Sequence, residues 1–444
     1  MNSKLFRYTF VAALGGMLFG FDTAVISGTI PFITKYFQLS EVLVGWTVSS
    51  ALIGCIFGSI FVGKPADKWG RKKMLFVTAL LFLFSALGTG FAPSFSFFIV
   101  ARFIGGIAIG GASVLSPMYI TEIAPSEKRG RLVATAQLAI VLGILLAFFS
   151  NYVLIGTGEN NWRYMLLAGS IPATLFFALL FTVGDSPRWL IKINKIDRAK
   201  KIIADVNPKG DTDKTINEII KTINNETTPN LSVMFRKPYL KLVLIGIAVG
   251  MFNQFTGINV IMYYAPTILK YAGFSDDSAL MQTVLVGVTN LVFTVLAMSV
   301  IDKIGRKMLL LIGAVGMFVF SGLFSITFFM HAFGGYMLLI FMVGFIAFFA
   351  SSQGVVIWVL LSEMFPNNVR ARGSSIGTFS HWCFNAAIAF LFPVAAKAFG
   401  VGPIFAFYSI ATLVSFFFFK KYLVETKGKS LEELEQYMLS DKSK

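Results

Sequence analysis

The stretch Asn253-Gln-Phe-Thr-Gly-Ile-Asn259 places three side-chain amides inside an apolar run, Leu240 to Ile268, long enough to cross a bilayer. Amides both donate and accept hydrogen bonds, so the chemistry they offer is recognition of an uncharged polar solute. Polar groups in a span are costly and face a cavity or the interior of a helix bundle. On a straight helix Gln254 and Asn259 would point about 140° apart. Gly257 and Pro266 both weaken the helix around them, and a break near Gly257 would turn both amides onto one cavity. The competing reading has the amides only joining helices by hydrogen bonds. Tyr263 and Tyr264 beside the breaker favour a ligand site.

A second constellation is charged. Asp22 lies inside the first apolar run and Arg102 inside the fourth. Counting from the cytoplasmic end of each helix puts Asp22 roughly 21 Å and Arg102 roughly 22 Å into the membrane. Opposite charges at matched depth predict an ion pair, since either alone would cost on the order of 3 kcal/mol at the bilayer centre. If Arg102 moved away, Asp22 could take a proton, which makes the pair a candidate proton switch; the alternative is a permanent structural salt bridge. The same count places Gln254 at roughly 22 Å, Asn290 at about 16 Å, Gln137 at about 14 Å and Trp382 at about 16 Å, with Trp358 lower. Amides with aromatics and few charges suit a hydroxyl-rich neutral solute, whose apolar ring face an aromatic can cover. Trp382 is equally readable as packing. His381 beside Trp382 either touches the solute or is a satisfied interior histidine, and His331 near a helix end reads as bland.

The elements that must position these groups are membrane helices. The chain of 444 residues is 56% hydrophobic and only 14% charged, with 48 Phe and a mean hydropathy of +0.75, outside the range of soluble domains. Its apolar runs are continuous rather than alternating, which excludes a barrel. We place spans at 8–28, 43–63, 74–92, 95–117, 131–154, 163–183, 239–271, 280–301, 308–330, 335–361, 371–395 and 402–421. The net charge of +16 falls in short connections on one side of the membrane, not in a patch with interleaved aromatics, so it predicts topology and no nucleic-acid partner. That asymmetry puts both termini and the stretch 184–238 in the cytoplasm. Ile216, Ile219, Ile220 and Ile223 recur there at helical spacing and predict a small amphipathic layer. Ser430-Leu-Glu-Glu433 forms a capping-box pattern that predicts a short helix in the tail. The first run is read as a span and not a cleaved signal. Cys55 and Cys383 form no disulfide framework or metal spacing. No nucleophile–base pair, metal cluster or phosphate loop appears in the spans, so the expectation is a protein without cofactor or metal, and not an enzyme.

An internal repeat organises the whole. Asp67-Lys-Trp-Gly-Arg-Lys72 matches Asp302-Lys-Ile-Gly-Arg-Lys307 at an offset of 302 − 67 = 235. Glu122, Pro125, Arg129 and Arg131 match Glu363, Pro366, Arg370 and Arg372 at 363 − 122 = 241. Two motifs in one order at nearly one offset divide the chain into an N-terminal six-helix half (1–183), a cytoplasmic linker with short helices (184–238), a C-terminal six-helix half (239–421) and a cytoplasmic tail (422–444). Repeat halves around a site are the layout of many secondary transporters. Asp67, Arg71, Glu122, Arg129 and Arg131, with Asp302, Arg306, Glu363, Arg370 and Arg372, sit at cytoplasmic helix ends, where their pairing could latch one conformation. Basic residues there also serve as plain topology anchors, but that role does not account for four carboxylates at repeated offsets.

Together these pieces resemble the sugar porter family of the major facilitator superfamily. They are Asp67–Lys72, Arg102–Gly106, Pro117–Arg131, Gln137-Leu138, Asn253–Tyr264, Asp302–Lys307 and Trp358-Val-Leu-Leu-Ser-Glu-Met-Phe-Pro366. The likeness covers nearly the whole chain and is nearest to the bacterial proton-coupled xylose and galactose symporters. It implies an all-α membrane fold of twelve helices in two pseudo-symmetric halves. It also implies uptake of a pentose or hexose with a proton by alternating access, in a multi-pass protein of the bacterial inner membrane, working as a monomer. The partners would be a small neutral sugar, a proton and the bilayer. By resemblance Gln137, Gln254, Asn259, Tyr263, Asn290 and Trp358 fall on sugar-binding positions, and Asp22 and Arg102 on the proton-coupling pair. Asn253, His381 and Trp382 complete the expected substrate set. The rivals are a proton-independent facilitator and a sugar sensor on the same fold. There are departures: Asn253-Gln254 stands where a Gln pair is common, and His381 where some xylose symporters have Gln. Gly184-Asp185 replaces Pro-Glu, and Val424 replaces the Pro that usually opens Val424-Glu-Thr-Lys-Gly428.

Overall fold

The computed structural model describes residues 2–427 apart from 126–127, 209, 225–230, 238, 334–335 and 367–368. The capping box at Ser430 therefore lies outside the described residues. Among the described residues twelve helices are long and apolar enough to cross a bilayer, and the chain is a multi-pass membrane protein. In order they are Ser3–Phe37, Glu41–Phe61, Arg71–Gly90, Phe95–Ile123, Arg129–Thr157, Asn161–Leu180, Tyr239–Tyr271, Asp276–Ile304, Arg306–Phe329, Met337–Leu361, Arg372–Phe399 and Val401–Tyr422, here spans 1 to 12. Each expected span has its helix. Large apolar side chains such as Phe61, Phe91, Phe181 and Phe399 are exposed, which lipid tolerates and water does not.

The helices gather into two compact units, Met1–Gln38 with Ser50–Glu226, and Leu39–Ser49 with Thr227–Lys444. The same pairings build both: span 1 packs on span 5 and span 3 on span 4 in the first, span 7 on span 11 and span 9 on span 10 in the second. Small residues allow the close approach that association in lipid requires. A Cβ on Gly20 would lie 1.9 Å from the Ile140 carbonyl oxygen, and one on Gly143 would lie 2.0 Å from that of Met17. Side-chain hydrogen bonds to backbone carbonyls add to this. Asn151 Nδ2 donates to Val25 O (3.0 Å), and in the second unit Tyr264 Oη donates to Ala389 O (2.7 Å). The units depart from the expected halves at two places. The start of span 2 goes with the second unit, where Gly45 abuts the Phe390 carbonyl and Lys397 pairs with Glu41 at 2.7 Å. The linker as far as Glu226 goes with the first, where Pro187–Lys192, Ile196–Val206 and Thr212–Asn224 fold together. Trp189, Leu190, Ala199, Ile203 and Ile216 form their core, with Ile219, Ile220 and Ile223 packed on it, the expected amphipathic layer.

Three spans are interrupted: span 6 between Asn161–Leu167 and Ser170–Leu180, and spans 7 and 10. Span 7 breaks between Tyr239–Gln254 and Ile258–Tyr271, at Gly257 with φ +83°, while Pro266 is carried inside the second piece. The break leaves few backbone groups unpaired: Gly257 N donates to Gln254 O (3.0 Å), Thr256 Oγ1 donates to Asn253 O (2.8 Å), and Ile258 N donates to Thr256 Oγ1 (3.3 Å). Span 10, expected to run uninterrupted, also breaks, between Met337–Ala350 and Gln353–Glu363. Ser352 sits there at φ −134°, ψ −94°, and the hydroxyls of Ser351 and Ser352 donate back to Ala347 O (2.7 Å) and Phe348 O (2.5 Å). Serine side chains that compete for helix carbonyls have no period to reveal them in sequence.

A methyl at Gly257 would meet the Tyr408 ring at 2.3 Å in addition to the left-handed backbone. Gly257→Ala should lose about 1–2 kcal/mol to the backbone and a further ~1–3 kcal/mol to overpacking. Thermal unfolding in detergent should fall accordingly, and Gly257→Ala with Tyr408→Ala should recover the packing part. Unchanged unfolding of the single variant would show that the break does not need glycine.

Candidate functional site

Each unit carries its own polar cluster. In the first, Arg102 on span 4 is 2% exposed, and its Nη1 donates to Asp22 Oδ2 on span 1 at 3.2 Å and to the Asp22 carbonyl at 3.3 Å. The matched depths thus correspond to a formed ion pair. Gly105, one turn beyond Arg102, leaves the room: a Cβ there would lie 2.3 Å from Ser85 Oγ and 3.3 Å from Asp22 Oδ2. Ser85 Oγ and Arg102 Nε have no hydrogen-bond partner among the described residues. Asp22 also borders a cavity of about 10 Å³, otherwise walled by apolar groups such as Phe21, Phe82 and Leu166. That is room for about one water. Asp22 therefore has an ion partner on one side and a small, mostly apolar void on another. Gln137 stands half-buried on span 5 of the same unit.

In the second unit the break in span 7 brings two of its amides together. Asn259 Nδ2 donates to Gln254 Oε1 at 2.7 Å, so two amides about 140° apart on a straight helix are in contact. Gln254 Nε2 donates to Asn253 Oδ1 at 3.0 Å and lies 3.0 Å from His381 Nδ1. Gln254 Nε2 also lies 3.3 Å from His381 Nε2, so which ring nitrogen accepts follows the tautomer. The His381 ring lies 4.9 Å from that of Trp358 and 5.4 Å from that of Trp382. His381 is thereby a buried, hydrogen-bonded member of the amide cluster. Trp382 is 2% exposed and Trp358 half-buried. Tyr263 Oη accepts from Asn385 Nδ2 at 3.1 Å, and Asn290 is buried on span 8. Sequence reasoning missed Gln353, fully buried at the start of the second piece of span 10, whose Oε1 accepts from Asn253 Nδ2 at 3.3 Å. Asn385, four residues after His381 on the same helix, was also missed and could have been found by that spacing.

The repeated motifs build two knots at helix ends. Arg71 pairs with Asp67 (2.9 Å) and Glu122 (2.9 Å); Arg306 pairs with Asp302 (2.9 Å) and Glu363 (3.3 Å). Arg129 and Arg131 are exposed, Arg372 is half-buried, and Arg370 Nε donates to Phe365 O at 3.1 Å. Arg71 and Arg306 are each the centre of one of these knots. The repeated Gly70 and Gly305 have φ +95° and +102° and start the next helix without a side-chain cap of their own. Carboxylates from distant motifs serve instead. Glu425 accepts from Arg306 N (2.9 Å), Lys307 N (3.0 Å) and Lys427 N (3.1 Å), and Thr426 Oγ1 donates to Glu363 Oε2 at 2.6 Å. Burial pushes the Glu425 carboxyl up, but the backbone N–H groups of residues 427 and 306–308 outweigh it and hold its pKa below the ordinary value. Asp185 is the counterpart beside Gly70, one methylene shorter. Burial dominates there and raises its pKa against the opposing pull of Lys72, Lys73 and Lys195. Its Oδ1 is buried without a partner among the described residues.

A family model described as sugar (and other) transporter matches residues 8–438. The chain belongs to this transporter family. The D-xylose-proton symporter of Escherichia coli (strain K12) is 40% identical over 477 residues, which cover 98% of this chain and 96% of the relative. The arabinose-proton symporter of Bacillus subtilis (strain 168) is 38% identical over 431 residues, covering 96% and 93%. The glucose transport protein of Synechocystis is 37% identical, covering 96% and 95%. Among solved structures, the inward open conformation of the xylose transporter XylE from E. coli superposes with a TM-score of 0.87 at 38% identity, covering 98% of this chain and 99% of that one. The fold is that of a major facilitator sugar porter, and the family is one of transporters, not enzymes.

Glu425 fastens the start of span 9 only while it is ionised. Its folded-state pKa is lowered, so its contribution is complete above the unfolded-state value and is lost as pH falls through the folded one. Glu425→Gln should therefore unfold at a lower temperature than the native chain near neutral pH. The gap should close as the pH is taken below about 4.3, the ordinary glutamate value. A gap independent of pH would locate the effect elsewhere.

Proposed function

We propose that the chain takes up a monosaccharide, pentose or hexose, together with a proton by alternating access. The observation that carries this reading is the Asp22–Arg102 ion pair buried within the spans. A proton on Asp22 removes the carboxylate charge and leaves the guanidinium without an ion partner. An uncompensated charge at the bilayer centre costs on the order of 3 kcal/mol, enough to move a two-state equilibrium by roughly 150-fold. Protonation and conformation are then linked in both directions. A proton carried down 100 mV contributes about 2.3 kcal/mol, which sustains roughly a 50-fold gradient of a neutral solute.

The sugar-facing groups of the second unit in this reading are Gln254, Asn259, Tyr263, Asn290, Trp358, His381 and Trp382; Gln137 is the candidate on the first. Support comes from the amide cluster beside stacked aromatic rings, with no ion pair among its hydrogen bonds. Relatives whose names span two pentoses and a hexose support a monosaccharide without choosing one. The basic connections support a cytoplasmic location for both termini and for the two carboxylate–arginine knots, which would release and re-form as the protein cycles.

Asp22→Asn in proteoliposomes should abolish sugar accumulation driven by an imposed pH gradient while leaving sugar exchange. A variant that still concentrates sugar would remove Asp22 from the coupling. A native chain that equilibrates sugar at the same rate with and without the gradient would make it a facilitator.

A further inference from the structure

The amides of the second unit form a chain with one direction. Asn259 Nδ2 donates to Gln254 Oε1 (2.7 Å), Gln254 Nε2 to Asn253 Oδ1 (3.0 Å), and Asn253 Nδ2 to Gln353 Oε1 (3.3 Å). Each amide accepts at its oxygen or donates at its nitrogen in the same sense, so the dipoles add and each bond strengthens the next. The two ends differ. Asn259 is half-buried, whereas Gln353 is fully buried and its Nε2 has no partner among the described residues. The accessible end is therefore the one a ligand meets, and the far end decides how the chain is polarised. With Gln353 accepting from Asn253, Asn253 Oδ1 points at Gln254, the Gln254 oxygen points at Asn259, and Asn259 Oδ1 is left for a hydroxyl group. Asn253 is one methylene short of a glutamine, and Gln353 supplies the reach from span 10.

We propose that Gln353 is a positioning residue for sugar recognition: by anchoring the last amide of this chain it fixes which face of Asn259 and Gln254 the sugar meets. The proposal rests on the transport reading above and extends it to a side chain that touches no sugar. It also assigns a purpose to the break in span 10. That break puts Gln353 at the first position of a new helix, at the level of the break in span 7.

The pair Asn253 and Gln353 is testable by exchanging lengths. Gln353→Asn shortens one partner and Asn253→Gln lengthens the other; together they keep the summed reach and the uncharged chemistry. Uptake and counterflow of labelled D-xylose and D-glucose by full-length protein in proteoliposomes is the measurement. Each single variant should raise KM about tenfold, the scale of one lost buried hydrogen bond, with maximal rate and pH profile close to native. The double variant should return KM to within about threefold of native. A merely structural role would lower the yield of folded protein or the maximal rate and would not be rescued by the exchange. Gln353→Met keeps the volume and removes the acceptor, and should match Gln353→Asn. Single variants with native KM, or a double variant no better than the worse single, would overturn the proposal while leaving transport intact. A native chain with no saturable uptake or exchange of any sugar in the panel would overturn the transport reading, and this proposal with it.

Discussion

Hydrocarbon offers no hydrogen-bond partner, so every polar group in a span must be answered from within the protein. The constraint accounts for most of what distinguishes this chain from a bundle of apolar helices. Arg102 donates two bonds to the residue opposite it on span 1, one to the carboxylate and one to the carbonyl of Asp22. Asn253, Gln254 and Asn259 answer one another and recruit Gln353 and His381 from spans 10 and 11. Because the partners come from different spans, satisfying a polar group and holding two helices in register are the same event. The sites are consequently also fasteners. Any rearrangement that opens one must offer its polar groups a substitute, from water, solute or proton.

The interrupted helices follow from the same constraint. A continuous span 7 would send Gln254 and Asn259 to different neighbours, and each would need its own partner. The left-handed turn at Gly257 joins them, and Thr256 with the Gly257 amide occupies backbone groups that the turn releases. In span 10 the serines at 351 and 352 satisfy carbonyls of the preceding turn, so the helix stops and restarts at little hydrogen-bonding loss. Discontinuous helices of this kind are a recurrent way of building a site in secondary transporters.

Much of this was legible from residue type and spacing. Counting rise per residue matched Asp22 to Arg102 because both lie on uninterrupted helices, where depth follows residue number. Gly257 announced a break because few residues tolerate a positive φ in the middle of an apolar run. The motifs at Asp67 and Asp302 announced the repeat because charge at helix ends is sparse and ordered. The missed features share a different origin. Gln353 lies on an otherwise apolar span next to a serine-driven break, so neither its depth nor its facing could be counted. Asp185 and Glu425 lie in short connections, and their caps on the helices that follow Gly70 and Gly305 join residues more than a hundred positions apart. Arg129 and Arg131 repeat as faithfully as Arg71 does but stay at the surface. Recurrence in sequence marks duplication, and burial then decides which copies carry an ion pair.

The two carboxylate–arginine knots share a plan but not an environment. The Arg71 and Glu122 side chains are each 8% exposed, whereas those of Arg306 and Glu363 are 14% and 23% exposed. Solvent and its ions reach the second more readily, and buried pairs are screened by salt much less than exposed ones. Raising the salt concentration would therefore weaken the knot at Arg306 more than the one at Arg71. One ancestral motif, duplicated, has become two clasps with unequal sensitivity to the ionic composition of the solution around them.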